Sequence, residues 1–570
     1  MTRDDTLQSL RAKPFCLSDG AVAWVQNTLA GLTTEQKIGQ LFCLILREGT
    51  RAEVDTLLGQ IQPGGIMYRP LPMERLVDCT GYLREQSPLP MLISANLEKG
   101  GDGAALEGTT LGSPLQVAAT GDVDFARQLG EICAVEGRAV GCNWTFGPIA
   151  DIDMNFRNPI TNTRSFGSDP ARVGDMTAAY IAAAQGLGMA TAAKHFPGDG
   201  CDERDQHLVT TVNDLSCEDW DATYGAVYRR CIEAGCLSIM LGHIMQPAWS
   251  KRLNPNLADT DMLPASLAPE LINGLLRGHL GFNGLVLTDA TTMAGFTIPL
   301  PRRRAVPAAI AAGADMFLFS RNLAEDHRYM RQGVADGTIT PERLDEAVTR
   351  ILGFKAALGL HLPQPECTLE SARATIGCAA HAQASRDCAD RAVTLVKQQP
   401  GVLPLTPDRY PRLLLCPLES DAGYVNAAKT GVCADFAKLL GEAGFAVTTF
   451  VPPPGLEGLT QASETIEQNY DAILYLANIA AKSNQTTTRI EWAPPMGADC
   501  PHYQSTVPTI FVSVENPYHL LDAPRVRTFV NAYNSNPNAL RAVLDKLMGK
   551  SAFKGKSPVD AFCGKWDTRL

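Results

Sequence analysis

At 570 residues the chain exceeds the size at which a single hydrophobic core keeps growing, so two large domains are expected. Hydrophobic residues at 45% and charged residues at 19% match an ordinary globular protein and exclude a disordered or fibrous one. A formal net charge of −11 and a pI near 5.4 argue against a nucleic-acid surface, which needs clustered Lys and Arg, and favour neutral or mixed small ligands.

The first twenty residues, MTRDDTLQSLRAKPFCLSDG, lack the apolar run of a secretory signal, and no later stretch reaches transmembrane length. A cytoplasmic protein without a membrane partner is therefore expected. Sixteen cysteines stand singly in apolar surroundings, as Cys43, Cys142 and Cys416 do, without C-x-x-C pairs or metal-ligand spacing; they are expected to be reduced core residues. Thr33 followed three residues later by Gln36 forms a capping box ahead of IGQLF and opens a helix.

From there, short apolar runs bounded by Gly or Pro recur at 41–46, 65–68, 90–95, 143–148, 191–196, 237–243, 284–288 and 314–320. Helical periodicity fills the intervals, for instance over 170–187 and 217–234. Eight strand-then-helix units predict a closed (β/α)8 barrel of the TIM type over 1–360. After Gly359 the proline-bearing HLPQPECTLE marks a linker, and an Ala-rich helical stretch over 370–396 follows, so 361–390 is assigned to linker and connecting helix. Apolar runs at 413–417, 446–451, 472–477, 509–514 and 528–532 predict an open doubly wound sheet in a C-terminal α/β sandwich domain over 391–570. CPLESDAGY stands where a Gly-rich phosphate loop would follow its first strand, so no nucleotide site is expected. The polar stretch 481–503 is a long loop that either borders a substrate cleft or is simply surface.

Barrels of this type carry their chemistry at the carboxyl ends of the strands. Polar groups stand there in this chain: Asn96 and Glu98 after the third run, Asp151 and Asp153 after the fourth, Lys194 and His195 at the fifth. His243, Asp289 and Arg321 end the sixth, seventh and eighth. In AAKHFPGDGCDERDQH, Asp205 and His207 are two apart and can meet on a turn, the carboxylate taking one ring N–H and leaving the other nitrogen for proton transfer. Asp289, in GFNGLVLTDATTMAGF, can attack an anomeric carbon or merely cap the following helix. Arg164, in NPITNTRSFGSDP, offers a rigid donor fork for sugar hydroxyls or a surface salt bridge. Lys194 alone also permits a Schiff base of the aldolase kind, which would leave Asp289 and the Asp-x-His loop idle.

KHFPGDG together with D-Q-H, LTDATTM and TRSFG resembles glycoside hydrolase family 3, and more narrowly is similar to its bacterial β-N-acetylglucosaminidase branch. With FVSVENPYHL and KSPVD, the likeness covers nearly the whole chain. The resemblance implies a catalytic barrel followed by an α/β sandwich, with Asp289 as nucleophile and Asn96, Lys194, His195 and Arg164 as ligands of substrate hydroxyls. It also implies an acid/base dyad, Asp205 and His207, on a mobile barrel loop, where other members use a glutamate of the second domain. The activity implied is that of a retaining exo-acting β-glycosidase, most narrowly a β-N-acetylhexosaminidase, working through a covalent glycosyl-enzyme without metal or organic cofactor.

Alternatives on the same site are a β-glucosidase, a β-xylosidase or a phosphorylase, the last because the resemblance implies a neutral histidine base that tolerates inorganic phosphate in place of water. The partner implied is a small β-glycoside, and the assembly a monomer or homodimer. Two departures bear on the sugar: NLEKGG stands where the branch carries D-Q-E-G-G, placing Asn96 for a carboxylate, and GDGCDE replaces GHGDTD. An amide still donates and accepts, but without charge assistance. A carbohydrate-binding protein without catalysis is the rival of another class, favoured by Asn96.

Overall fold

The computed structural model describes residues 3–420, 430–452, 455–456, 463–484 and 486–570. They form two compact units, the first made of Met1–Leu111, Ala126–Asn155 and Pro170–Ala382, the second of Gly112–Phe125, Phe156–Asp169 and Gln383–Leu570. Two excursions from the barrel sequence, after its third and fourth strands, therefore belong to the second unit.

In the first unit eight parallel strands follow one another around a sheet: β1 (Phe42–Leu46), β2 (Gly65–Tyr68), β3 (Leu92–Ala95), β4 (Trp144–Thr145), β5 (Ala190–Phe196), β6 (Ser238–Leu241), β7 (Leu285–Thr288) and β8 (Phe317–Leu318). β8 pairs with β1 through Phe42 and Phe317. The ring closes where the Thr288 amide donates to the Met316 carbonyl (3.1 Å) and the Asp315 amide to that of Val286 (2.7 Å). The strands are predominantly apolar because both faces are covered, by the barrel interior and by the helix layer. Phe42, Trp144, Phe146 and Phe317 belong to the buried core of this unit with Met240, Leu285 and Leu287. Truncating such a side chain, Leu285→Ala for example, costs about 2–5 kcal/mol.

The capping box holds: Thr33 Oγ1 accepts from the Gln36 amide while the Thr33 amide donates to Gln36 Oε1 (2.9 Å), opening the helix Thr34–Gln40. The helix expected at 170–187 spans Pro170–Gly186, and that at 217–234 runs from Cys217 to Glu233 with one wider turn at Asp221–Gly225. A short ribbon, Thr211–Val212 beside Ile244–Met245, stands outside the barrel beyond β5 and β6.

In the second unit six strands, β9 (Thr394–Lys397), β10 (Arg412–Glu419), β11 (Ala446–Thr449), β12 (Ala472–Asn478), β13 (Thr509–Ser513) and β14 (Thr528–Asn531), lie in the order β9-β14-β13-β12-β10-β11. All neighbours are parallel except β9, which pairs antiparallel with β14. Strand alternation sends Leu413, Leu415, Leu474, Leu476, Ile510 and Val512 into one core. Leu414, Cys416, Ile473, Tyr475, Phe511 and Phe529 go to the other.

The Ala-rich stretch expected to be one helix over 370–396 is instead two helices, Leu369–Thr375 and Ala379–Ala392, followed by β9. Gly377 adopts a positive φ that breaks the first from the second, and Thr394-Leu-Val-Lys carries the β-branched residues that favour the sheet edge. The loop 481–503 packs Ile490, Trp492 and Tyr503 onto the second core, and Tyr475 donates to its Cys500 carbonyl (2.9 Å). The sixteen cysteines are all free thiols, most of them buried. Among the described residues no helix is long and apolar enough to cross a membrane.

Candidate active site

Asp289 directly follows β7. Its amide donates to the Leu241 carbonyl that ends β6 (2.8 Å), and its Oδ1 accepts from the amide of Ala290 (2.6 Å), so backbone on both sides fixes the carboxylate. Burial raises the affinity of this carboxyl for a proton, but positive charge on His195, His243 and His207 and the Ala290 N–H bring it, on balance, below the ordinary carboxylate range.

The three imidazoles do not contribute alike. His243 is buried and its pKa is pushed down to about 4, mainly by desolvation, so near neutral pH it carries no charge and adds nothing to that lowering. Its Nε2–H donates to the Ala290 carbonyl (3.1 Å) while Nδ1 accepts from Ser266 Oγ (2.8 Å), a tautomer dictated by the carbonyl partner.

β5 carries Lys194 and His195 just before its last residue, Phe196. His195 Nδ1 lies 2.7 Å from Asp151 Oδ2, and the His195 amide donates to Asp151 Oδ1 (2.9 Å), which also accepts from the Asp199 amide (2.8 Å). Asp151 is therefore a buried clamp on the strand end: it takes the Nδ1 proton and turns Nε2 toward Asp289 Oδ2, 3.7 Å away. Lys194 Nζ pairs with Glu98 Oε1 (2.7 Å) and donates to Asn96 Oδ1 (3.3 Å), both just beyond β3. Asn96 itself is exposed.

The loop between β5 and the ribbon carries Asp205 and His207. Only glycine fits at Gly198, whose φ is +120° and where a Cβ would fall 2.1 Å from the Tyr224 ring. Asn213 Nδ2 donates back to the Gly198 carbonyl (3.1 Å), closing the loop on itself. Within it, Asp205 Oδ1 accepts both the His207 amide (2.8 Å) and the Nδ1 proton (2.7 Å). The Asp205 carboxylate is buried, whereas the His207 side chain keeps 24% of its surface exposed, so Nε2 is the nitrogen left for exchange with a substrate or water. The carbonyl of His207 accepts from the Ala294 amide (2.9 Å), five residues past Asp289. An ionised carboxylate and a tautomer-fixed imidazole thus share one barrel mouth.

Of the residues singled out in the sequence, Asn96, Lys194, His195, Asp205, His207 and Asp289 all lie in the first unit around these strand ends. Arg164 lies at the end of a short 3₁₀ turn, Asn162–Arg164, in the excursion that belongs to the second unit. Arg321, beyond β8, is exposed, and its amide donates to Asp326 Oδ2 (3.0 Å), which also binds Arg302. Asp151, Glu98 and His243 stood at strand ends in the sequence without an assigned role. Asp151 had a readable signal, the first of two acids, with Asp153, in the otherwise apolar IADID. The buried contacts of Asp199 and Gln206 had none.

A model of the family described as "Glycosyl hydrolase family 3 N terminal domain" matches residues 33–354. A protein from Cellulomonas fimi named "Beta-N-acetylglucosaminidase/beta-glucosidase" is 50% identical over 562 residues, 98% of this chain and all of the relative. A solved structure described as "Beta-glucoside phosphorylase BglX" superposes with a TM-score of 0.93 at 43% identity, covering 99% of this chain and 100% of the other. The glycoside hydrolase family 3 β-N-acetylglucosaminidase of Paenibacillus sp. str. FPU-7 gives 0.79 at 25% identity, over 94% of this chain and all of that one. The motif-matched, family-wide and whole-chain likenesses agree with the carboxylate and imidazole found at the barrel mouth: this chain belongs to glycoside hydrolase family 3 and is a glycoside hydrolase.

Proposed function

We propose that the chain is a retaining, exo-acting β-glycosidase in which Asp289 is the nucleophile and His207, held by Asp205, the acid/base. The observation that carries the reading is that the Asp289 carboxyl and the Asp205-held imidazole of His207 stand at the same strand ends, the His207 carbonyl bonded to Ala294 five residues past Asp289. Ionised Asp289 attacks the anomeric carbon while His207 Nε2–H protonates the departing glycosidic oxygen, giving a covalent glycosyl-enzyme. His207, now neutral, takes a proton from water, which displaces Asp289 with net retention. Asp205 stabilises the imidazolium and fixes the tautomer in both steps. Lys194, His195, Asn96 and Arg164 are the ligands of sugar hydroxyls in this reading. The proposed catalytic domain is 1–360, with 361–390 connecting it to a sandwich at 391–570. Neither a metal nor an organic cofactor is called for.

For the sugar, terminal β-N-acetylglucosamine is the first choice and β-glucose the second, supported by the relative that carries both activities in its name. Labelling with a 2-deoxy-2-fluoro-β-glycosyl fluoride followed by peptide mapping tests the nucleophile. A label on the Asp289 peptide is expected, and a label elsewhere overturns the assignment.

Phosphorolysis is a second reading, supported by the likeness to a β-glucoside phosphorylase. A neutral histidine base does not repel an incoming phosphate as a carboxylate base would. Sugar 1-phosphate formed in phosphate buffer would establish it, and hydrolysis alone would remove it. A cytoplasmic monomer or homodimer completes the proposal.

A further inference from the structure

Between the two members of the dyad stands Gln206, whose side chain is fully buried and points away from them. Its Nε2 donates to Asp199 Oδ2 (3.1 Å), in the segment leaving β5, and its Oε1 accepts from the amide of His243 (2.8 Å), just beyond β6. Asp199 is in turn hung from Asp151, the clamp of His195, and the His243 ring donates to the carbonyl of Ala290, whose amide binds Asp289. One carboxamide therefore joins the strand end that carries His195 to the one bonded to the nucleophile.

The backbone around it is equally committed. At Gly295 an added Cβ would meet the Gln206 carbonyl at 2.5 Å and the His243 Cβ at 3.0 Å, so the segment after Asp289 presses on the loop. It is also bonded there, by Ala294 to the His207 carbonyl and by the Thr210 hydroxyl to the Gly295 carbonyl (2.9 Å).

We propose that Gln206 is a positioning residue that latches the acid/base loop, setting where His207 Nε2 stands relative to Asp289. The inference rests on His207 being the acid/base. Gln206 touches neither substrate nor the reacting atoms. It acts by fixing its two sequence neighbours, because a residue whose side chain bridges two strand ends allows its flanking residues little freedom. A leucine of similar volume would keep the packing and remove both bonds, freeing the loop to sample positions from which protonation of the leaving group is unproductive.

The experiment is kcat/KM of Gln206→Leu and His207→Ala across aryl β-glycosides of graded leaving group, from 2,4-dinitrophenyl to phenyl. kcat/KM reports the first chemical step, which needs the acid only when the leaving group is poor. For Gln206→Leu the phenyl substrate is expected to lose at least about thirtyfold and the dinitrophenyl substrate less than about threefold. Turnover of the dinitrophenyl substrate also certifies that the variant is folded. Gln206→Glu, isosteric but placing a carboxylate against Asp199, is expected to show the same leaving-group dependence. If His207→Ala is leaving-group dependent while both Gln206 variants lose phenyl and dinitrophenyl turnover alike, or lose neither, the latch is refuted and the acid/base assignment stands. If His207→Ala itself shows no such dependence, the assignment beneath the latch has failed.

Discussion

The two halves of the site are held by different means. Asp289, Lys194 and His195 project from ends of strands locked into a closed barrel, and Asp289 and His195 are each fixed by a backbone bond and a side-chain bond to neighbouring strand ends or the next residue. Asp205 and His207 ride on a loop, tied at its base by the ribbon and by Asn213 and along its length by a few side chains. The contrast follows the chemistry. A nucleophile has one charge state to maintain, so rigidity and ionisation suffice, whereas an acid/base must pass a proton out and back and so must keep one nitrogen accessible.

The strand-held half can be broken outright. Asp289→Asn removes the nucleophile without changing its size, and kcat/KM on any aryl glycoside should fall about 10^5-fold. The fall should be alike for good and poor leaving groups, with the thermal unfolding midpoint somewhat lowered, because the folded chain favours the ionised carboxyl that the amide replaces. Activity within tenfold of the parent would take the role from Asp289.

The loop-held half should fail by degrees. His207→Ala should lower kcat about 10^3-fold on a phenyl glycoside, within the usual range for general acid–base catalysis. With a dinitrophenyl substrate, release of the glycosyl-enzyme becomes the slow step. Azide, which needs no base, should then restore turnover and yield a β-glycosyl azide. An α-azide would mean that the reaction proceeds by inversion.

Between the halves lies His243, and its buried ring makes the site acid-sensitive. The folded ring titrates near 4, below the value near 6.5 for the unfolded chain. Above pH 6.5 both states are neutral and its stability is fully present. As pH falls from 6.5 to 4 the unfolded chain takes up a proton that the folded one refuses, and about 3 kcal/mol is lost. Urea unfolding of His243→Asn against the parent across that window should show a flatter decline in the variant. Parallel curves would mean that the ring titrates normally.

How much of this was legible beforehand differs between the halves too. Strand ends announce themselves, because an apolar run that stops at Lys194-His195 or Asp289 marks both the element and the boundary where chemistry sits. All eight barrel strands fall inside, or within a residue of, their expected runs. The loop gave only its Asp-x-His spacing, because which groups hold it depends on pairings far apart in sequence, such as Gln206 with His243 or Gly295 with the Gln206 carbonyl. β9 was hidden by the alanines before it, a local propensity overruled by a free sheet edge at β14. Arg164 was visible as a donor, but nothing in TRSFG reveals that its segment folds with the second unit.

The smallest expected effect concerns how the strand-held half reads the sugar. Lys194 is almost wholly buried and its ammonium faces one carboxylate oxygen, Glu98 Oε1, and one amide oxygen, Asn96 Oδ1. In Glu98→Gln the ammonium loses that anionic partner, and its hold on a sugar hydroxyl slackens in ground and transition state alike. KM should rise about tenfold while kcat stays within about threefold, the pattern of lost uniform binding. Adding Asn96→Asp returns a carboxylate to the other side of the same ammonium, so the double variant should regain most of the loss. Should it regain nothing, the part played by Glu98 is shape and not charge; should kcat fall in step with kcat/KM, Lys194 grips the sugar only in the transition state, and the strand-held half does more than hold the substrate still.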